Sequence, residues 1–341
     1  MLKKILLPII SAIILLTVAG CGLSQSNSDK SKQVTIAMLS IMNDEMIARS
    51  WYAEELGKAL GIKVILLNYD SGMLANDAMA TGNIDIALMG STAAAAGISK
   101  GLPYEIFWIH SIDGENECLV AKNAANINSV AELKGKRIGV PPASTAQYSL
   151  FNVLKSAKIG EEDVMIIEMQ PSTIIEAWQQ GKIDAAFVWQ PYLEKLLDDG
   201  RVLVTGRDLA EKGLGTADVG VVNREFAQKH PEVLEKYISL QVRADQLFQH
   251  NPQRAAELAA KNCNETSVAV LNQMKKLVWV DLDNQMSENC LGTSEHKGRL
   301  VQTLEQTAKF LEKIGVIDRA ASSEVFEQAV NPSFVEAVAK K

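Results

Sequence analysis

Two short stretches place hydroxyl side chains directly before helix-forming runs: Gly90-Ser91-Thr92 ahead of Ala93 to Ala96, and Ser144-Thr145 ahead of Gln147 to Ala157. At a helix start the first backbone N–H groups lack partners and the summed peptide dipole is positive, so the place attracts an anion. Hydroxyls there serve equally as ordinary N-caps, and the residues alone leave both readings open. Glu117 and Asp218 offer the opposite chemistry. Each adjoins an apolar run, Cys118-Leu119-Val120-Ala121 and Val219-Gly220-Val221-Val222. A carboxylate so placed is partly desolvated and calls for a cation, unless it is simply a solvated acid at a strand end.

The elements that must position these groups alternate in type. Val34 to Met38 reads as a strand, and Ile47, Trp51, Leu56 and Leu60 then recur at helical spacing before Gly61. Ile62 to Leu67 reads as a second strand, followed by a helix to Thr81, a stop at Gly82-Asn83 and a strand from Ile84 to Leu88. Such alternation implies crossover connections and mainly parallel sheets. The plan repeats: Ala78 to Ala87, with Gly82-Asn83-Ile84-Asp85 at its centre, is echoed by Ala177 to Ala186 with Gly181-Lys182-Ile183-Asp184. Each copy is a helix, a glycine suited to the left-handed cap, and a strand opening Ile-Asp. Two lobes with one plan follow. After Asn223 the pattern turns helical through 231–250, 252–261, 269–279 and 297–314, a tail expected to cover the first lobe.

The chain opens with an address. Lys3 and Lys4 precede an apolar stretch from Ile5 to Val18, then Val18-Ala19-Gly20-Cys21. That order is a secretory signal, and its apolar part is shorter than the roughly 20 residues of a membrane span. Cys21 is the expected lipidation site, and Gly22 to Lys32 is polar, Ser-rich and expected to tether the lipid to the folded body. Residues 1–20 are therefore assigned as signal peptide and 21–32 as linker, leaving about 300 residues, enough for two domains.

Composition removes several functions. Basic residues number 34 and acidic ones 41, a net charge of −7 without a basic block, which argues against nucleic acid or an anionic membrane surface as partner. His110, His230, His250 and His296 lie in no nucleophile or metal motif, and there is no Cys-x-x-Cys pair or Gly-rich phosphate loop. No catalytic residue, metal or cofactor is expected. Cys118 reads as a buried small side chain, while Cys263 and Cys290 are candidates for a disulfide outside the cell.

A series of motifs, in order along the chain, carries a family resemblance. They are Asp70-Ser71-Gly72, Gly90-Ser91-Thr92, Glu117-Cys118-Leu119-Val120, Gly135-Lys136-Arg137-Ile138-Gly139-Val140-Pro141 and Ser144-Thr145-Ala146-Gln147-Tyr148-Ser149-Leu150. Gln170-Pro171, Ala177-Trp178-Gln179, Val188-Trp189-Gln190-Pro191 and Ala217-Asp218-Val219 complete it. Together they resemble taurine-binding proteins of ABC importers over nearly the whole mature chain. The resemblance implies a type II periplasmic-binding-protein fold: two α/β lobes, two strand crossovers near Glu117 to Ala121 and Asp218 to Val222, and a helical C-terminal part. Residues 33–118 with 222–341 form the first lobe on this plan, and 119–221 the second.

The same resemblance implies the site. Ser91, Thr92, Ser144 and Thr145 would receive a sulfonate, Glu117 and Asp218 the ammonium, Trp189 and Tyr148 the short carbon chain, with Gln147 in the motif and Asp70 and Ser71 at the mouth. Two positions depart from the pattern: Gly220 stands where relatives carry a bulky aromatic, and Gln147 where they carry histidine. The expected protein is a monomeric, lipid-anchored solute-binding protein on the outer face of the cytoplasmic membrane, or the periplasmic side where an outer membrane exists. It would deliver taurine or a related sulfonate or ω-amino acid to a permease with its ATPase. Aliphatic sulfonates, nitrate and bicarbonate are the competing ligands, and a pyrimidine-precursor enzyme of the same fold is the competing class.

Overall fold

The computed structural model describes residues 32–341; the expected signal peptide, Cys21 and all of the tether but Lys32 lie outside the described residues. Among the described residues no helix is long and apolar enough to cross a membrane.

Two five-stranded sheets organise the chain. The first contains β1 (Gln33–Met38), β2 (Lys63–Asn68), β3 (Ile86–Gly90), β4 (Tyr104–Ile112) and β10 (Ala217–Asn223), in the order β2-β1-β3-β10-β4. The second contains β5 (Glu117–Lys122), β6 (Arg137–Val140), β7 (Met165–Glu168), β8 (Ala185–Trp189) and β9 (Gly200–Thr205), in the order β7-β6-β8-β5-β9. In each, four strands run one way and one against them: two neighbour contacts are parallel and two antiparallel, because β10 enters between β3 and β4, and β5 between β8 and β9, from the opposite end. The sheets are therefore mixed rather than mainly parallel.

Helices α1 (Asp44–Trp51), α2 (Gly72–Ala80) and α3 (Ser91–Ser99) connect the first sheet. Helices α4 (Thr145–Ser156), α5 (Pro171–Gln179), α6 (Tyr192–Leu197) and α7 (Gly206–Ala210) belong to the second. The tail forms α8 (Arg224–Lys229), α9 (Pro231–His250), α10 (Pro252–Ala260), α11 (Ser267–Met274), α12 (Leu282–Gln285), α13 (Leu300–Lys313), α14 (Ser323–Ala329) and α15 (Ser333–Ala339). Its buried residues, such as Leu234, Leu304 and Phe326, join one continuous core with the first sheet. The second sheet has a core on each face. Leu119 and Ala121 point to one and Cys118 and Val120 to the other, the two-residue period of a strand.

The repeat noted in the sequence has a structural meaning. Gly82 and Gly181 end their helices at φ +71° and +65°, the left-handed region that glycine enters without steric cost. The aspartate that follows then ties the next strand to its neighbour. Asp85 Oδ2 accepts the Thr35 N–H at 2.7 Å, and Asp184 Oδ2 accepts the Arg137 N–H at 2.9 Å.

The chain passes between sheets at 113–116 and 206–216, earlier than the expected crossovers. Glu117 to Lys122 lies wholly in the second sheet, and Ala217 to Asn223 wholly in the first. Cys263 and Cys290, the candidates for a disulfide, are both free thiols in this structure. The Cys263 thiol donates to the Ala259 carbonyl at the end of α10 (3.6 Å), and Cys290 is buried in the first core.

Candidate functional site

Three helices start at one small cavity. Ser71, Gly72 and Met73 bring the start of α2, Gly90 and Ala93 the start of α3, and Ser144 and Thr145 the start of α4. Their lengths, nine, nine and twelve residues, allow a developed dipole. The α3 and α4 starts meet so closely that a Cβ on Gly90 would lie 2.9 Å from Thr145 Cγ2. The Ser71 hydroxyl is 2 % exposed and unpartnered, the state of a donor awaiting an acceptor. The Ser144 hydroxyl is already used, donating to the Pro141 carbonyl at 2.7 Å and accepting the Gln147 N–H at 3.1 Å. The cavity volume is about 20 Å³. By the measure in which one water needs about 10–15 Å³, only a compact molecule fits.

The cavity lining is also acidic. Asp113, Glu117 and Asp218 all line it and all are buried. Glu117 accepts from the Thr145 hydroxyl at 2.5 Å and from Ser149 at 3.4 Å. Asp218 accepts from Ser111 at 3.1 Å. Asp113 accepts from Thr216 at 2.8 Å and from the Asn116 amide at 3.1 Å. Burial pushes all three carboxyls above their ordinary range, and the charge of Asp113 pushes Glu117 and Asp218 further. Trp189 supplies an aromatic wall, with Leu39 and Ile41 as further apolar lining. Among the described residues no group of His, Cys, Asp and Glu is arranged to hold a metal ion.

Six of the residues singled out from sequence line this cavity: Ser71, Glu117, Ser144, Thr145, Trp189 and Asp218. The side chains of the other five do not. Ser91 is turned back to accept the Ala217 N–H at 3.3 Å, and Thr92 is buried behind it. Gln147 bridges the Ala143 N–H and Glu168, both at 2.6 Å. Tyr148 packs edge-on against Phe310 in a separate groove, 5.5 Å between centroids. Helix geometry explains this: Thr145 and Ser149, four residues apart, share the face that meets Glu117, so Gln147 and Tyr148 are directed elsewhere. Asp70 lies at the surface, accepting from Ser172 at 3.3 Å and Tyr192 at 3.5 Å, and so joins the two halves beside the cavity.

Gly220 also lies off the cavity. A Cβ there would meet His110 Nε2 at 3.1 Å and the Phe107 ring at 3.2 Å, inside the first core. Asp113 and Asn116 escaped the sequence reading. They occupy the turn between β4 and β5, where Asn116 Oδ1 accepts the Gly114 N–H at 2.7 Å. An Asp-Gly turn reads as a connection, and nothing in its spacing marks it as cavity lining.

Comparison with known proteins places this geometry in context. The family model described as "NMT1/THI5 like" matches residues 47–255. The chain is 32 % identical to the taurine-binding periplasmic protein of Escherichia coli K12 over 309 residues, 89 % of this chain and 92 % of that protein. It is 27 % identical to a putative aliphatic sulfonates-binding protein of Bacillus subtilis 168, covering 93 % of this chain and 92 % of that protein. Among solved structures, the periplasmic aliphatic sulphonate binding protein SsuA from Escherichia coli superposes with a TM-score of 0.71 at 18 % identity, covering 89 % of this chain and 99 % of that one.

Proposed function

The chain belongs to the NMT1/THI5-like family, and on that premise we propose that it is the solute-binding component of an ABC importer, taking taurine or a closely related aminosulfonate. The carrying observation is the make-up of one cavity: among the described residues its lining combines three helix starts with three buried carboxyls and includes no basic side chain. A sulfonate is met there by backbone N–H groups and Ser71, an ammonium by Glu117 and Asp218, and the carbon chain by Trp189. Nitrate and bicarbonate lack a cationic end and leave the acids without a partner, which costs free energy in a buried site.

Ligand that touches both sheets stabilises the closed arrangement over the open one by its differential contacts. The Asp70 contacts with Ser172 and Tyr192, and the Lys276–Glu194 pair at 3.1 Å, join the halves outside the cavity in the same arrangement. The two lobes follow the sheets, the tail belonging to the first. Closure creates the surface that the permease, which works with its ATPase, reads. We assign the protein to the extracytoplasmic face of the membrane as a monomer held by lipid on Cys21, following the lipobox-like Val18-Ala19-Gly20-Cys21. The His110 imidazole, one of the four histidines considered for the enzyme reading, is tied to Asp44 at 2.7 Å and does not line the cavity.

A thermal-shift panel of taurine, short alkanesulfonates, β-alanine, nitrate and glycine betaine tests the ligand, because a molecule bound only by the folded form raises the melting temperature. Taurine is expected to give the largest rise; a response to nitrate without one to taurine overturns the reading. Mass spectrometry of the membrane fraction tests the anchor. Diacylglycerol on Cys21 is expected, and a mature chain starting elsewhere refutes it.

A further inference from the structure

The charge inside the cavity is unbalanced by more than one ammonium can correct. Asp113, Glu117 and Asp218 are 2 %, 1 % and 5 % exposed, respectively. Among the described residues their side-chain hydrogen bonds come from neutral donors: Thr216 and Asn116, Thr145 and Ser149, and Ser111. The charged groups of neighbouring elements are occupied elsewhere. His110 faces Asp44 at 2.7 Å, Lys276 pairs with Glu194 at 3.1 Å, Arg207 faces Glu115 at 3.6 Å, and the Asp208 carboxylate accepts from the Thr205 N–H and hydroxyl at 2.8 and 2.7 Å. Asp44 adds a further negative charge felt by Asp218.

Asp113 also stands at the junction of the two connecting segments. Its N–H donates to the Thr216 carbonyl at 3.0 Å while its carboxylate accepts from the Thr216 hydroxyl at 2.8 Å. When the halves part, water reaches all three acids. When they close on a ligand carrying one ammonium, three carboxyls share that single charge in a buried site that screens them weakly.

Resting on the aminosulfonate reading, we propose that closure on the ligand takes up between one and two protons, and that Asp113 is the hinge-side member of an acid trio that holds one of them. Each proton comes from the solvent buffer and adds to a carboxylate oxygen, leaving a neutral carboxylic acid; no other bond changes. The trio thereby tunes affinity for the ligand to the outside pH.

The sign follows from linkage. The bound form carries more protons, so affinity falls as pH rises between the ordinary carboxylate value, about 4, and the raised values of the closed site.

Titration calorimetry with taurine, in two buffers of different ionisation enthalpy, counts the protons. Uptake of one to two per ligand is expected, with Kd rising about a hundredfold or more from about pH 6 to about pH 8 where that uptake persists. Asp113→Asn is expected to lower the count by about one while taurine still gives a binding heat. Should that variant not fold, Thr216→Val removes a donor to the Asp113 carboxylate and is expected to move the uptake to higher pH. Binding heat that is independent of buffer and pH overturns the proton inference. An unchanged count in Asp113→Asn overturns the assignment to that residue. Absence of any taurine heat sinks the ligand reading instead.

Discussion

Phe310 of α13 packs edge-on against Phe151 of α4, with ring centroids 4.9 Å apart and planes at 62°. Tyr148 meets the same ring at 5.5 Å, and Lys313, three residues on, pairs with Glu161 at 2.8 Å. One aromatic ring of the first half is thus held between two of the second, on the side of α4 that does not face the cavity.

This clasp ties ligand affinity to residues that never touch ligand. Aromatic pairs contribute about 0.5–1.5 kcal/mol each beyond burial, and they form only when the halves are together. Phe310→Ala is expected to raise the Kd for taurine several-fold to about thirtyfold, mainly through faster dissociation. Stopped-flow fluorescence separates the two rates; an unchanged dissociation rate removes the clasp from the mechanism.

Glu117→Gln and Asp218→Asn each remove a charged acceptor for the ammonium. Hydrogen bonds to charged groups contribute about 1.5–3 kcal/mol, so Kd should rise about ten- to a hundredfold. The ligand-free protein should melt no lower than the parent, since each substitution relieves a buried carboxyl without an ion-pair partner. Calorimetry paired with melting curves checks both halves of the statement, and loss of stability without loss of affinity contradicts it.

Gly90→Ala probes closure by size alone. Its φ of −66° suits any residue, so the open form should tolerate the methyl group. In the closed form the new Cβ lies 2.9 Å from Thr145 Cγ2, on a side chain held by its 2.5 Å bond to Glu117. Overpacking of this kind costs about 1–3 kcal/mol, and ligand affinity should fall about five- to a hundredfold with little change in the ligand-free melting temperature. Small-angle scattering with saturating taurine should then show a more open average shape than the parent.

Asp184 carries a pH-dependent share of stability. The Arg137 guanidinium hydrogen bonds, at 3.0 and 2.7 Å, hold its carboxyl below the ordinary range. A depressed folded-state pKa stabilises above the unfolded value, about 4, and that contribution is lost as pH falls through the folded value. Asp184→Asn should therefore melt a few degrees below the parent at neutral pH, the gap narrowing in acid. A gap independent of pH would show that Arg137 is not the cause.

Much of this arrangement could be read from residue order. Gly82-x-Ile-Asp85 and Gly181-x-Ile-Asp184 announced two equivalent halves because a left-handed glycine and a strand-opening aspartate are local requirements. Glu117 and Asp218 were visible as acids bound into apolar strands. Local patterns could not report what two distant elements do when they meet. The start of α2 became a third helix terminus at the cavity only through packing against Met89 and Ala93, whose Cβ atoms leave no room for a side chain on Gly72. Asp113 became an acid of the site only because 113–116 and 206–216 run together. Gln147 and Tyr148 leave the cavity for a different reason: residues adjacent in a motif need not share a face, because a helix turns neighbouring side chains in different directions.

The exchange of β5 and β10 between the sheets bears on how the protein must be made. β3 and β4 do not pair with each other, and each pairs with β10 instead. A growing chain that has not yet reached residue 223 therefore carries two hydrophobic strands with an open slot between them. Nearly two thirds of the polypeptide must therefore be made before the earliest sheet can shut, so the first half cannot complete its fold ahead of the second.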